Sequence, residues 1–268
     1  MRTFFDEGIY PRVSRWLTIT TEGDAIALYL GFFVLCIIVP YLLGSINTAV
    51  VLSRVIWKDD IRKHGSGNGG MTNMLRVYGP WAAIFTFLGD ILKTAFSVFF
   101  AFAMLGAGWV GAGFAMNFPA YVAGLFCVLG HCFPIYYRFR GGKGVLCSAT
   151  IVAILSPWVF VILLIIFIGT VAITKYVSLG SVLCGATYPL FYSILVKALF
   201  SSTAPGFVTI ITFLLAGLLI LMHRTNIKRL RQGVENRLTF RKKQTPAEVL
   251  GELMSAADGD TAEEDDEK

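Results

Sequence analysis

The sequence predicts an all-α integral membrane protein of about seven transmembrane helices, with the N-terminus outside and the C-terminus cytoplasmic. Three observations carry this. Of 268 residues, 56% are apolar and only 15% are charged, where a soluble domain of this size would carry roughly a quarter. The mean hydropathy is +0.68. Between Ala25 and Met222 the only acids are Asp59, Asp60 and Asp90. This excludes a soluble enzyme and a disordered chain.

A spanning helix needs about 20 apolar residues. The expected spans are Ala25 to Leu52, Pro80 to Leu105, Ala112 to Gly130, Val145 to Ser156, Pro157 to Thr174, Leu179 to Leu199 and Gly206 to Met222. The fourth is short, either a helix sheltered by its neighbours or part of one long helix kinked at Pro157. Seven spans put three basic clusters on the cytoplasmic side: Arg54 to Arg76, Arg138 to Lys143, and the run after Met222 that includes Arg224, Lys228, Arg229, Arg231, Arg237, Arg241, Lys242 and Lys243. Six spans would place the last on the wrong side. Residues 1–24 precede the first span, with Phe4, Phe5, Ile9, Val13, Trp16 and Leu17 opposite Arg12 and Arg15, either an interfacial helix or an unstructured lead-in. Residues 25–237 form the transmembrane domain. Residues 238–268 form a charged tail, acidic from Asp258 to Glu267 and expected to be disordered and cytoplasmic.

The net charge of +6 sits in short loops between apolar runs. That pattern belongs to membrane topology and anionic headgroups and excludes a nucleic-acid face. The five cysteines contain no CxxC pair, so no zinc site or disulfide framework is indicated.

The informative residues are polar ones that spanning helices do not explain. Gly65-Ser66-Gly67-Asn68-Gly69-Gly70, followed by Thr72, Asn73 and Arg76, is glycine-rich and donor-rich, suited to a phosphate. Its GxGxxG match is not a dinucleotide fingerprint, because no βαβ unit surrounds it. Gly130-His131, Phe133-Pro134 and Arg138 to Arg140 lead into Gly141-Gly142-Lys143-Gly144, a cation among glycines at a helix start. Lys175 to Ser181 brings Ser178 and Ser181, which can also be plain helix caps. His223-Arg224-Thr225-Asn226 precedes Arg229, Gly233 and Glu235, and the spacing puts His223 and Asn226 on one helix face. The three histidines, His64, His131 and His223, each lie in one of these groups, though a lone His is more often structural than catalytic.

Absences narrow the chemistry. There is no HxxxxD dyad and no carboxylate cluster for Mg²⁺, so no metal or cofactor is expected. Asp90 and Lys93, one turn apart, are expected to neutralise each other.

Taken in order, these segments resemble the motifs of the acyl-phosphate glycerol-3-phosphate acyltransferases, the PlsY family. Gly65-Ser66-Gly67-Asn68 with Thr72-Asn73 and Arg76 resembles GSGNxGATNxxR, and the three later groups resemble its further motifs, as do Gly44-Ser45-Ile46 and Asp60-Ile61-Arg62-Lys63. Asn47-Thr48 and Gly70-Met71 depart from that pattern, and Lys175 stands where Arg is commoner. The resemblance implies a multi-pass bacterial inner-membrane enzyme whose site faces the cytoplasm. It would make lysophosphatidic acid and inorganic phosphate from acyl-phosphate and glycerol-3-phosphate, with membrane lipid and an acyl-phosphate-producing enzyme as partners. By motif position, Ser66, Gly67, Asn68, Thr72, Asn73, Arg76, Gly141, Gly142, Lys143, Gly144, Ser178 and Ser181 would bind substrate and phosphate. His223 and Asn226 would be catalytic, and Glu235 structural. The alternative is a transporter for phosphate-bearing molecules. Transporters bind near the midplane of an internal repeat, whereas here the polar groups lie on one face and no repeat is visible.

Overall fold

The computed structural model describes residues 8–106, 117–200 and 206–238. Among them the secondary structure is helical, without strands. In chain order the α-helices are α1 (Tyr10–Trp16), α2 (Glu22–Ser45), α3 (Thr48–Ile56), α4 (Met71–Tyr78), α5 (Pro80–Leu105), α6 (Phe118–Cys132), α7 (Val145–Leu155), α8 (Pro157–Thr174), α9 (Val177–Phe200), α10 (Gly206–Met222) and α11 (Arg224–Arg231). The expected features Phe4, Phe5, the span start at Ala112 and the tail from residue 239 lie outside the described residues.

Local chemistry sets the helix ends. Proline stands in the first turn of α1, α5, α6 and α8, where its missing N–H costs nothing. Thr21 caps α2 through Asp24 N at 3.2 Å, and Asn117 caps α6 through Ala120 N at 3.0 Å. Among the described residues five long apolar stretches meet the length of a membrane span, the first taking in both α2 and α3. Helix α10 has 17 residues and meets α11 at 56°. Helix α7 has 11 residues and ends at Ser156, so it is separate from α8 as the short-helix expectation had it.

The first stretch runs through Leu52 as expected, but its helix is interrupted: α2 ends at Ser45, Ile46 is extended, and Asn47 starts α3 by accepting from Val50 N at 3.0 Å. The broken backbone has a partner, since Lys93 Nζ donates to the carbonyls of Ile46 at 3.1 Å and Gly44 at 3.3 Å. A cation at carbonyls left free by a helix end is favourable. The residue departures at Asn47 and Thr48 both have work here. Asn47 Nδ2 donates to Gly69 O at 3.0 Å, and Thr48 Oγ1 donates to Asp90 Oδ1 at 3.1 Å.

Helices α2 and α6 approach backbone to backbone. A Cβ on Gly44 would strike the Cys127 carbonyl, and one on Gly130 would strike the Tyr41 carbonyl. Small residues let membrane helices pack this closely. The main core includes Val98, Phe102, Tyr121, Ile151, Leu155, Tyr192 and Val208, all buried. A second, smaller core of Ala49, Val50, Ile61, Met74 and Ala82 holds α3 against α4 and α5. Helix α8 buries only Val159 and Leu163 and leaves Ile165 and Ile173 exposed, as a lipid-facing helix would. Helix α1 is pinned rather than loose: Ile9 N donates to Ala103 O at 2.8 Å, and the Tyr10 ring meets Tyr29 edge-on at 5.4 Å.

Candidate active site

One cavity of about 690 Å³ gathers residues from all four polar groups. Its polar end is lined by Ser66, Asn68, Thr72, Asn73, Arg76, Lys143, Gly144, Ser178, Ser181, His223, Asn226 and Glu235. Its remaining walls are apolar, with Phe87 and Phe99 from α5, Val152 from α7, Phe160 and Phe167 from α8, and Leu215 from α10.

The loop before α4 is folded by Asn73. This buried side chain donates from Nδ2 to the carbonyls of His64 and Asn68, each at 3.0 Å, and accepts from Ser66 N at 2.9 Å through Oδ1. Both ends of the amide are therefore committed to the loop, so Asn73 shapes the segment that carries Ser66 while also lining the cavity. The loop's own N–H groups are used too, since Gly67 N donates to His64 O and Gly70 N to Asn68 O. Gly67 does not line the cavity, and Gly65 and Gly67 serve the turn with φ of +59° and +72°. What remains available is the Ser66 and Thr72 hydroxyls, the uncapped first turn of α4 and the Arg76 guanidinium. Among the described residues no protein acceptor lies within hydrogen-bond distance of that guanidinium.

The second loop is held in the same way. Gly141 N donates to Cys132 O at 3.2 Å and Gly142 N to His131 O at 3.0 Å, so these N–H groups are taken by the loop's own backbone. Glycine is required instead by space. A Cβ on Gly142 would strike the His131 ring, and Gly144 combines a φ of +74° with contact to Val128. The loops are joined by Arg62, whose guanidinium donates to Tyr137 O at 3.1 Å and Arg140 O at 2.9 Å. Arg62 is itself held by Asp60 at 2.6 Å, and this pairing keeps the Asp60 carboxyl well below the usual range.

At the centre is a chain of charged contacts. Lys143 Nζ donates to Asn226 Oδ1 at 2.6 Å, and Asn226 Nδ2 donates to Glu235 Oε1 at 2.6 Å. Glu235 also accepts from Ser178 Oγ at 2.9 Å and from Arg229 Nε at 2.7 Å. Despite its burial, these donors hold the Glu235 carboxyl below its ordinary value. Ser178, expected to bind phosphate, thus has its proton on Glu235. Ser181, almost fully buried, donates to Val177 O at 2.9 Å. Burial pushes the Lys143 ammonium down to about 8, with Arg229 and Arg76 acting in the same direction and Glu235 opposing.

His223 is neutral for a physical reason. It is 2% exposed, and burial pushes it down to about 4. Its Nδ1 lies 2.8 Å from Leu219 O; a carbonyl only accepts, so Nδ1 carries the proton and Nε2 keeps a free lone pair. His223 closes α10 and Asn226 lies in α11, so both belong to the bend that turns the chain along the cavity.

The sequence reading missed two members of the cavity wall. Asp90 and His131 line it, both nearly fully buried. Lys93 Nζ lies 2.8 Å from Asp90 Oδ1 and 3.0 Å from His131 Nδ1. The Asp90–Lys93 pairing was legible from their one-turn spacing; the addition of His131 is tertiary. Asp90, His131 and Cys147 offer three metal-type ligand atoms within 4.8 Å of one another, but the cation among them is the Lys93 ammonium. His64 pairs with Asp59 at 2.6 Å and does not line the cavity.

A sequence model of the glycerol-3-phosphate acyltransferases matches residues 34–233. The chain belongs to the glycerol-3-phosphate acyltransferase family. It is 39% identical over 209 residues to the glycerol-3-phosphate acyltransferase of Syntrophomonas wolfei, covering 78% of this chain and 96% of that one. It is 40% identical over 213 residues to that of Halalkalibacterium halodurans, covering 79% and 97%. Among solved structures it is similar to PlsY (YgiH), an integral membrane glycerol 3-phosphate acyltransferase. The glycerol 3-phosphate form superposes with a TM-score of 0.66 at 31% identity, covering 77% of this chain and 96% of that one. The lysophosphatidic acid form superposes with a TM-score of 0.64, covering 81% and 98%. The match supports an acyltransferase rather than a transporter.

Proposed function

We propose that this glycerol-3-phosphate acyltransferase takes its acyl group from acyl-phosphate and releases lysophosphatidic acid and inorganic phosphate. The observation that carries this reading is the Lys143–Asn226–Glu235 chain beside a neutral His223, at the polar end of an apolar cavity. Both substrates are phosphate-bearing, and Arg76 and Lys143 supply two cations for them. The apolar walls suit a fatty chain. Arg76 and Ser66 hold glycerol-3-phosphate, while Lys143 holds the phosphoryl group of the donor.

The glycerol hydroxyl attacks the acyl carbonyl. His223 Nε2 accepts a hydrogen bond from that hydroxyl and orients it, and the proton passes to a phosphate oxygen of the substrate as the new C–O bond forms. The bond to phosphate then breaks, and inorganic phosphate leaves against Lys143. Because acyl-phosphate is already activated, positioning and charge stabilisation carry most of the rate. The site faces the cytoplasm of the inner membrane. The basic clusters on the loops that build the cavity support this orientation. Residues 25–237 act as the catalytic domain, with 1–24 and 238–268 as appendages, and an acyl-phosphate-producing enzyme supplies the donor.

The test is turnover by the purified full-length protein in detergent. Acyl-phosphate with glycerol-3-phosphate is expected to give lysophosphatidic acid, with little or no product from acyl-CoA and no loss of rate in EDTA. Efficient use of acyl-CoA, or a strict Mg²⁺ requirement, overturns the assignment.

A further inference from the structure

His131 is 4% exposed and lines the cavity. Its Nδ1 lies 3.0 Å from Lys93 Nζ, and an ammonium only donates, so Nδ1 is the acceptor. Lys93 is held in place by Asp90 at 2.8 Å and by the two carbonyls at the break after α2, so that its three protons serve four acceptors and one is shared. The ring proton is therefore on Nε2. That atom has no hydrogen-bond partner among the described residues. It stands against Gly142, where any side chain would strike it. A buried imidazole with one nitrogen locked and the other an unmatched donor at a cavity wall is costly unless something there accepts from it.

We propose that His131 Nε2–H is a catalytic hydrogen-bond donor to the acyl carbonyl oxygen of the donor substrate, strengthening as that oxygen becomes an oxyanion. The inference rests on the acyl-transfer reading above and adds a group to it. Position favours it: Gly142 precedes Lys143, whose ammonium touches Asn226, three residues from His223. The nucleophile's acceptor, the leaving group's cation and His131 thus line the same cavity. Asp90 lies 2.8 Å from Lys93 Nζ and 3.6 Å from His131 Nδ1, so the charges of this corner are tied to one another and the ring offers a single directed N–H donor. Such a donor in a dry site acts on charge that appears only in the transition state. No proton is transferred by His131. As the glycerol oxygen bonds to the carbonyl carbon, the carbonyl electron pair moves onto its oxygen and is held by Nε2–H. It returns when the bond to phosphate breaks.

The experiment compares wild type with His131→Ala, His131→Gln and His131→Asn. Saturating acyl-phosphate and varied glycerol-3-phosphate give kcat and KM, and thermal midpoints in detergent report folding. A glutamine amide reaches the place of Nε2–H and an asparagine amide does not. The expected result is a loss of kcat on the order of a hundredfold in His131→Ala. KM for glycerol-3-phosphate should stay within about threefold. His131→Gln should recover part of kcat, and His131→Asn should not. A folded His131→Ala with wild-type kcat overturns the inference. So do equal kcat values in the Gln and Asn variants, the result of a purely structural histidine and one that is readable even if the Ala variant fails to fold. Absence of product from the wild type instead overturns the acyl-transfer reading itself.

Discussion

Raising the pH should switch off Lys143 before it harms the fold. Burial sets the ammonium near 8 in the folded protein, against about 10.4 for an exposed lysine. With a single titration at 8, half the molecules carry the charge at pH 8 and roughly a tenth at pH 9, so kcat/KM for acyl-phosphate should fall about tenfold per pH unit above 8. The limb in kcat should lie higher, because a bound phosphate favours the charged form, and kcat reports the substrate complex. Stability must move the other way. The folded pKa is below the unfolded one, so the unfolded chain holds more protons between pH 8 and about 10.4, and stability rises across that window. His223 stays neutral down to about pH 4, so it adds no break above pH 5. The assay is initial-rate formation of lysophosphatidic acid from labelled glycerol-3-phosphate between pH 6 and 10, with thermal midpoints at each pH. Lys143→Arg stays charged throughout and should lose the alkaline limb, whatever its absolute rate. The reasoning is refuted if the limb persists in Lys143→Arg, or if midpoint and activity fall together.

Other consequences are equally direct. Glu235→Ala removes the acceptor for three donors, two of them on the buried Ser178 and Asn226. At about 1–3 kcal/mol per orphaned group, its thermal midpoint should drop by several degrees and activity should fall more than tenfold; an unchanged midpoint would show that the hub is dispensable. Arg76→Lys keeps the charge but loses the planar fork, so kcat/KM for glycerol-3-phosphate should fall more than tenfold, a change of about 1.4 kcal/mol. Lys93→Met strands the buried Asp90 carboxylate at a cost of about 3–5 kcal/mol. The double variant with Asp90→Asn should regain much of the lost midpoint, and no recovery would mean that Lys93 acts chiefly through the carbonyls of Gly44 and Ile46.

The apolar spans and the meeting of four polar segments were legible in the sequence, because hydropathy and the glycine-rich motifs are local signals. The division of labour within the motifs was not. Whether an Asn or Gly donor is met by backbone depends on where neighbouring carbonyls end up, so the hydrogen bonds by which Asn73, Gly141 and Gly142 build the loops could not be read in advance. The break at Ile46–Asn47 was hidden inside a long, mostly apolar run, and its signal was the very Asn47-Thr48 pair that departs from the family pattern. His131 could not be joined to Asp90 and Lys93 without the packing of α5 on α6.

The backbone contact of α2 with α6 has a mechanical consequence. Bilayers differ in thickness, and a helix adjusts to mismatch by tilting against its neighbours. At Gly44 and Gly130 no side chain separates these two helices, so that end of the pair tilts as one body. His131 directly follows Gly130, and Lys93 grips the carbonyls around Ser45, so the catalytic wall is bolted to that body. Adjustment is left to α8, which buries only two of its residues. The enzyme can thus sit in membranes of changing lipid composition while its reacting groups keep their register.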